Sequence, residues 1–111
     1  MQVELDIFSG RPNPVWGLTA AQVDEMGEIV RKLPLATEEP PSHPGLGYRG
    51  FVVTDDARRS WRINAFKGFV QITDQGRVEV RSDLNRRLER WLLNSAGSQL
   101  PPEIHRRVPL D

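Results

Sequence analysis

The sequence predicts an α+β fold: a mainly antiparallel five-stranded sheet in β-α-β-β-β-β-α order, with two helices packed on one face. Three observations lead there. Four short segments between 48 and 81 alternate apolar and polar residues around turn-forming residues. Segments on either side of that run space their apolar residues at helical intervals, and a further alternating segment opens the chain.

Val3, Leu5 and Ile7 alternate with Gln2, Glu4 and Asp6, the period of a strand with one buried face, whose simplest place is a sheet edge. Phe8 to Trp16 (F-S-G-R-P-N-P-V-W) reads as a stiff linker into the first helix. Pro12 and Pro14 fix their own φ and push Arg11 and Asn13 towards extended backbone, while Gly10 permits a positive φ. Thr19-Ala-Ala-Gln22 has the form of a capping box. Val23, Met26, Val30 and Leu33 then recur at helical spacing until Pro34, so a helix is predicted over Ala20 to Leu33. Asp24, Glu25 and Glu28 near its start and Arg31 and Lys32 near its end suit the helix dipole.

From Pro34 to Gly47 neither period holds, and four of the nine prolines fall there. This is a long proline-rich loop, 34–47, able to form a short polyproline II stretch that docks on aromatic side chains. Hairpin arithmetic sets the strands beyond it. A five-residue loop Asp55–Arg59 places Val53 opposite Trp61 and Phe51 opposite Ile63. A two-residue turn at Lys67-Gly68 places Phe66 opposite Phe69 and Ile63 opposite Ile72. For the last reversal a three-residue loop, Asp74-Gln75-Gly76, is preferred because it sets Ile72 opposite Val78 and Val70 opposite Val80.

The predicted meander is Tyr48–Thr54, Ser60–Phe66, Phe69–Thr73 and Arg77–Arg81. Its inner face collects Phe51, Val53, Trp61, Ile63, Ala65, Val70, Ile72, Val78 and Val80. Its outer face presents Val52, Arg62, Asn64, Phe66, Phe69, Gln71, Arg77, Glu79 and Arg81. A second helix is predicted over Asp83 to Ser95, capped by Ser82 or Asp83, with Leu84, Leu88, Trp91 and Leu92 inward and Gly97 beyond its end. Arg86, Arg87, Glu89 and Arg90 read as its solvated face. The tail, 98–111, reads as extended and basic, pinned by Ile104 and Val108.

With 111 residues the chain is expected to form a single domain, 1–111, with a core that needs no cross-link. It contains no cysteine, which removes disulfide scaffolds, thiolate zinc sites and cysteine nucleophiles, and suits a reducing compartment. A strand pattern directly after Met1, with no basic-then-apolar leader and no long apolar run, sets a cytoplasmic, non-membrane expectation. Net charge is zero but polarised. Residues 1–57 hold four basic and nine acidic side chains, and residues 58–111 hold eleven and six, so the halves carry −5 and +5. Such halves attract each other or a charged partner.

No stretch carries a sharp catalytic, metal or cofactor signature, so no cofactor is expected and the reading leans away from an enzyme. Gly45-Leu-Gly-Tyr-Arg-Gly50 matches G-x-G-x-x-G, but it follows a proline loop and leads into a strand, where the dinucleotide mechanism requires a strand before and a helix after. His43 and His105 lack a neighbouring nucleophile or carboxylate. Asp55-Asp56 and Glu38-Glu39 lack the alternation of a calcium loop.

The function expected is a small interaction module that binds a protein partner or a second copy. Two surfaces qualify: the open sheet face with Arg62, Phe66 and Phe69, and the loop with Ser9, Arg11, Asn13 and Trp16. The alternative is a small-ligand or enzymatic site, suited to an anion, at the sheet end near Asp6, Arg11, Tyr48 and Arg49. A third reading stacks single-stranded nucleic acid on the aromatic and basic sheet face, which zero net charge disfavours.

Overall fold

The computed structural model describes residues 1–42 and 47–110. Those residues form an α+β fold built on a six-stranded antiparallel sheet. The strands are β1 (Gln2–Leu5), β2 (Val15–Gly17), β3 (Phe51–Thr54), β4 (Trp61–Phe66), β5 (Phe69–Asp74) and β6 (Arg77–Ser82), in spatial order β2-β1-β3-β4-β5-β6. Two helices, α1 (Ala20–Arg31) and α2 (Arg87–Ser95), lie on one face, and a short helix, α3 (Pro102–His105), sits in the tail. Val3, Leu5, Trp16, Phe51, Val53, Ile63, Ala65 and Val70 from the sheet share one buried cluster with Met26, Ile29, Leu33, Leu88, Leu92 and Leu93 from the helical side.

The extra strand comes from the stiff stretch itself. Phe8–Trp16 does not run on into the helix but folds back, so that Val3 lies opposite Trp16 and Leu5 N–H donates to Pro14 C=O. Asn13 holds the reversal: its Oδ1 accepts from the N–H groups of Ile7 and Phe8 at 3.1 and 2.8 Å, and its Nδ2 donates to Glu4 and Asp6. β1 is therefore an interior strand, and β2 follows Pro14 at the sheet margin, where a missing backbone N–H is tolerated. Trp16 is buried and donates from Nε1 to Ser95 Oγ at 2.9 Å, tying the edge strand to α2.

Helix α1 begins as its sequence dictates. Gln22 N–H donates to Thr19 Oγ1 at 3.1 Å and Gln22 Oε1 accepts from Thr19 N–H at 2.9 Å, a complete capping box. The helix ends two residues before the expected Leu33, which is buried just beyond it.

The β4–β5 turn has the predicted register, Phe66 opposite Phe69. The β3–β4 register differs by two residues, with Val53 opposite Ile63 instead of Trp61. A two-residue slip preserves side-chain parity, so the faces are unchanged.

The β5–β6 turn overturns the predicted face. It is a two-residue turn with Gln75 and Gly76 at φ 50° and 83°, which sets Ile72 opposite Glu79 and Gln71 opposite Val80. Val78 and Val80 therefore join the outer face and Val78 is exposed, whereas Arg77, Glu79 and Arg81 take the helical side. Arg81 gives the reason: its Nη1 donates to the C=O groups of Val30, Arg31 and Leu33 at 3.1–3.3 Å. A cation on the orphan carbonyls at the end of α1 outweighs burying two valines on an edge strand. The same edge is partly closed by Pro34–Ala36, which exchanges hydrogen bonds with β6 (Ala36 N–H to Val80 C=O, Ser82 N–H to Pro34 C=O).

Helix α2 starts later than predicted. Leu84–Arg86 forms a 3-10 turn in which Asn85 and Arg86 are left-handed, leaving Leu84 60 % exposed instead of inward. Asp83 is nonetheless the cap, accepting from Leu88 N–H at 2.8 Å and Glu89 N–H at 3.1 Å. The tail is not extended: after a 3-10 turn at Gly97–Gln99 and α3 it packs on the core through Leu100, Ile104 and Val108.

Candidate functional site

The reversal after β1 and the packed tail together build a cleft of about 400 Å³ lined by Ile7, Phe8, Ser9, Arg11, Gly47, Tyr48 and Arg107. Arg11 Cζ stands 3.7 Å from the centroid of the Phe8 ring, and Arg107 Cζ stands 5.9 Å from the same centroid. Stacking on one ring holds two guanidiniums at a single mouth despite their like charge. Neither forms an ion pair or a hydrogen bond among the described residues. Their N–H donors are available to a carboxylate or phosphate, groups that arginine binds in two parallel bonds.

Tyr48 forms the inner wall and leads to a buried polar cluster. Its hydroxyl donates to Glu89 Oε2 at 2.6 Å, and the same oxygen accepts from Arg86 Nη2 at 2.8 Å. Glu89 Oε1 accepts from Gly68 N–H at 2.8 Å and Arg86 Nε at 3.1 Å. Glu89 is wholly buried, contrary to its expected place on the solvated face of the second helix. Burial pushes its carboxyl up, but the bonds from Arg86, Tyr48 and Gly68 outweigh it and hold the group below the usual carboxylate range. Burial, and then the Glu89 charge, push the Tyr48 hydroxyl far above the ordinary tyrosine range. At neutral pH Tyr48 is thus a committed hydrogen-bond donor and not a base. Burial also raises Asp83 against the two backbone bonds it accepts.

The remaining residues singled out in the sequence scatter. Ser9, Arg11 and Tyr48 meet in the cleft. Asn13 is consumed by the reversal and Trp16 by the core. Arg49 pairs with Asp6 at 2.8 Å and donates to Phe8 C=O, bracing the base of the loop; the hydrogen bond to Asp6 raises its pKa further. Arg62 is exposed at the far end of the sheet beside Thr54, Asp55, Asp56, Arg59 and Trp61. His105 is exposed on α3. His43, Gly45 and Leu46 lie outside the described residues, whereas Gly50, at φ 98°, lies so close to β4 that an added Cβ would meet Ala65 C=O at 2.4 Å. No cluster of three or more potential metal ligands occurs among the described residues.

The aromatic patch on the outer face is not an open platform. Phe66 is only 8 % exposed, and it lines a small cavity of about 50 Å³ with Phe69, Asn64, Gln71, Arg49, Pro40 and Pro41. Pro40 and Pro41, from the described part of the proline-rich loop, lie against this face. The stacking surface proposed for nucleic acid is thereby closed at Phe66, and Arg77 and Arg81 are on the other side of the sheet.

The chain matches no protein-family model, no curated protein and no solved structure. No helix among the described residues is long and apolar enough to cross a membrane.

Phe8 and Arg107 are the functional candidates that sequence reasoning missed. Phe8 breaks the alternation, an apolar ring at a position where Gln2, Glu4 and Asp6 set the polar phase, and Arg107 is 96 residues from Arg11, so only the packed tail brings it there.

Proposed function

We propose that this protein is a small non-enzymatic interaction module that binds an acidic segment of a protein partner in the Arg11–Arg107 cleft. The observation that carries the proposal is the pair of exposed guanidiniums stacked on Phe8 with no carboxylate opposite them among the described residues. Every other arginine named at this end of the molecule, Arg49 and Arg86, is engaged with an internal carboxylate. The loop is braced by Asn13 and by the Arg49–Asp6 pair, so its charge is presented at low ordering cost. A core that holds without cross-links suits the cytoplasmic setting that we take as part of this reading.

The test is a titration with a hexaglutamate peptide followed by NMR at low and moderate salt. Amide shifts centred on Ser9, Arg11, Tyr48 and Arg107 are expected, weakening with salt and disappearing when Arg11 and Arg107 are both replaced by alanine. Shifts spread over all basic residues, or unchanged in the double variant, would sink the proposal.

A further inference from the structure

We infer a second binding site, on the opposite face of the sheet: the groove beneath Pro40 and Pro41 takes a proline-rich extended segment of a partner, and the chain's own prolines fill it in the unbound state. It uses neither Arg11 nor Arg107 and stands apart from the acidic-segment reading.

The groove has two kinds of wall. Phe66 lies directly across from Phe69 on the outer face, and both line the groove. One pair further along, Asn64 faces Gln71. Those two amide side chains make no hydrogen bond among the described residues. Aromatic rings beside free amide donors are what a polyproline II ligand requires, because its rings need flat apolar seats and its carbonyls have no internal partners.

The present occupant shows the matching chemistry. Pro40 and Pro41 line the groove, and Glu39 and Pro40 each precede a proline, which biases both towards polyproline II backbone. The fit is incomplete. Both prolines remain largely exposed, and a cavity of about 50 Å³ separates the strip from the groove floor. A longer partner segment whose carbonyls reach Asn64 and Gln71 gains hydrogen bonds that the internal strip does not make. A strip tethered in place lowers the apparent affinity of any such segment by the fraction of time the groove stands empty.

The probe is a synthetic peptide with the sequence of residues 36–42, A-T-E-E-P-P-S, titrated into the full chain and into the full chain carrying Pro40→Gly and Pro41→Gly. The peptide is expected to shift the side-chain amides of Asn64 and Gln71 and the backbone amides of Phe66 and Phe69. Its apparent affinity should be about tenfold tighter for the substituted chain. A peptide with both prolines replaced by alanine should leave those four residues unshifted, and Asn64→Ala with Gln71→Ala should weaken the proline peptide's binding at the groove about tenfold. Replacing Arg11 and Arg107 should leave it unchanged. If the glycine variant proves poorly folded by circular dichroism, millimolar peptide against the unsubstituted chain still decides. Absence of shifts there, equal shifts from the alanine peptide, or a dimer formed by exchange of the strip between copies would each overturn the inference.

Discussion

Glu89→Gln is the perturbation whose cost follows most directly from geometry. Each carboxylate oxygen accepts two bonds, Oε1 from Gly68 N–H and Arg86 Nε, and Oε2 from Tyr48 hydroxyl and Arg86 Nη2. All four partners are donors. Whichever way a glutamine amide turns, its NH₂ faces two of them, and Arg86 loses its counter-charge. Breaking a buried pair costs about 3–5 kcal/mol, and the lower end applies because Arg86 is partly exposed and regains water. For a chain of this size, about 3 kcal/mol corresponds to a fall in melting temperature on the order of 10–20 °C. Urea unfolding of both proteins measures it.

The pH dependence supplies a second reading from the same pair. Because Glu89 titrates below its unfolded value, its contribution is fully present above about pH 4.3, the unfolded glutamate value, and is lost as pH falls through the lower folded value. The gap between wild type and Glu89→Gln should therefore be constant near neutrality and shrink below that pH. Asp83, raised by burial, contributes with the opposite sign: its stabilisation is present below its unfolded value and lost as pH rises through the folded one. It titrates in both proteins, so it cancels from the gap to first order. A loss under about 1 kcal/mol, the size of one ordinary hydrogen bond, or a gap that widens in acid, would refute the assignment of Glu89 as the buried anchor of α2.

Other substitutions follow from single contacts. Arg81→Ala removes the cation from the end of α1 and should cost about 1–2 kcal/mol, with faster hydrogen exchange at Ala36 N–H; a loss below about 0.5 kcal/mol would contradict the capping role. Gly50→Ala drives a Cβ into Ala65 C=O and should cost upwards of about 3 kcal/mol, whereas Gly10→Ala, with a similar φ but open space, should cost only about 1 kcal/mol. Equal losses would show that backbone strain alone decides both. Arg11→Ala should change stability by no more than about 0.5–1 kcal/mol, the value of an exposed cation–π contact, while weakening the acidic-peptide shifts that the double variant with Arg107→Ala abolishes. A large stability loss with unaltered binding would make Arg11 structural.

How much was legible can be traced residue by residue. Thr19 and Gln22 announce their own capping box, since both partners lie within one turn. The faces of β3, β4 and β5 follow from alternation, which survives even the two-residue slip between Val53 and Ile63 because the period is two. The strand at Val15–Gly17 was hidden by Pro12 and Pro14, which read as breakers until Asn13 is seen to bend the chain back. Of the cleft, Ser9, Arg11 and Tyr48 were legible and Phe8 and Arg107 were not. Glu89 sits among arginines on a helix and reads as solvated; only Tyr48, Gly68 and the left-handed turn at Asn85–Arg86 enclose it.

The sequence by itself determined the local and periodic features: fold class, the first helix and its start, and which residues of three strands share a face. Tertiary structure decided what depends on a distant partner. The Val78 and Val80 face is the plainest case, because the last hairpin satisfies its own backbone in either register. Selection between the two comes from carbonyls at the end of α1, some fifty positions earlier in the chain, that accept from Arg81. Alternation records what is greasy, and it carries no information about which helix end lies within reach of a guanidinium.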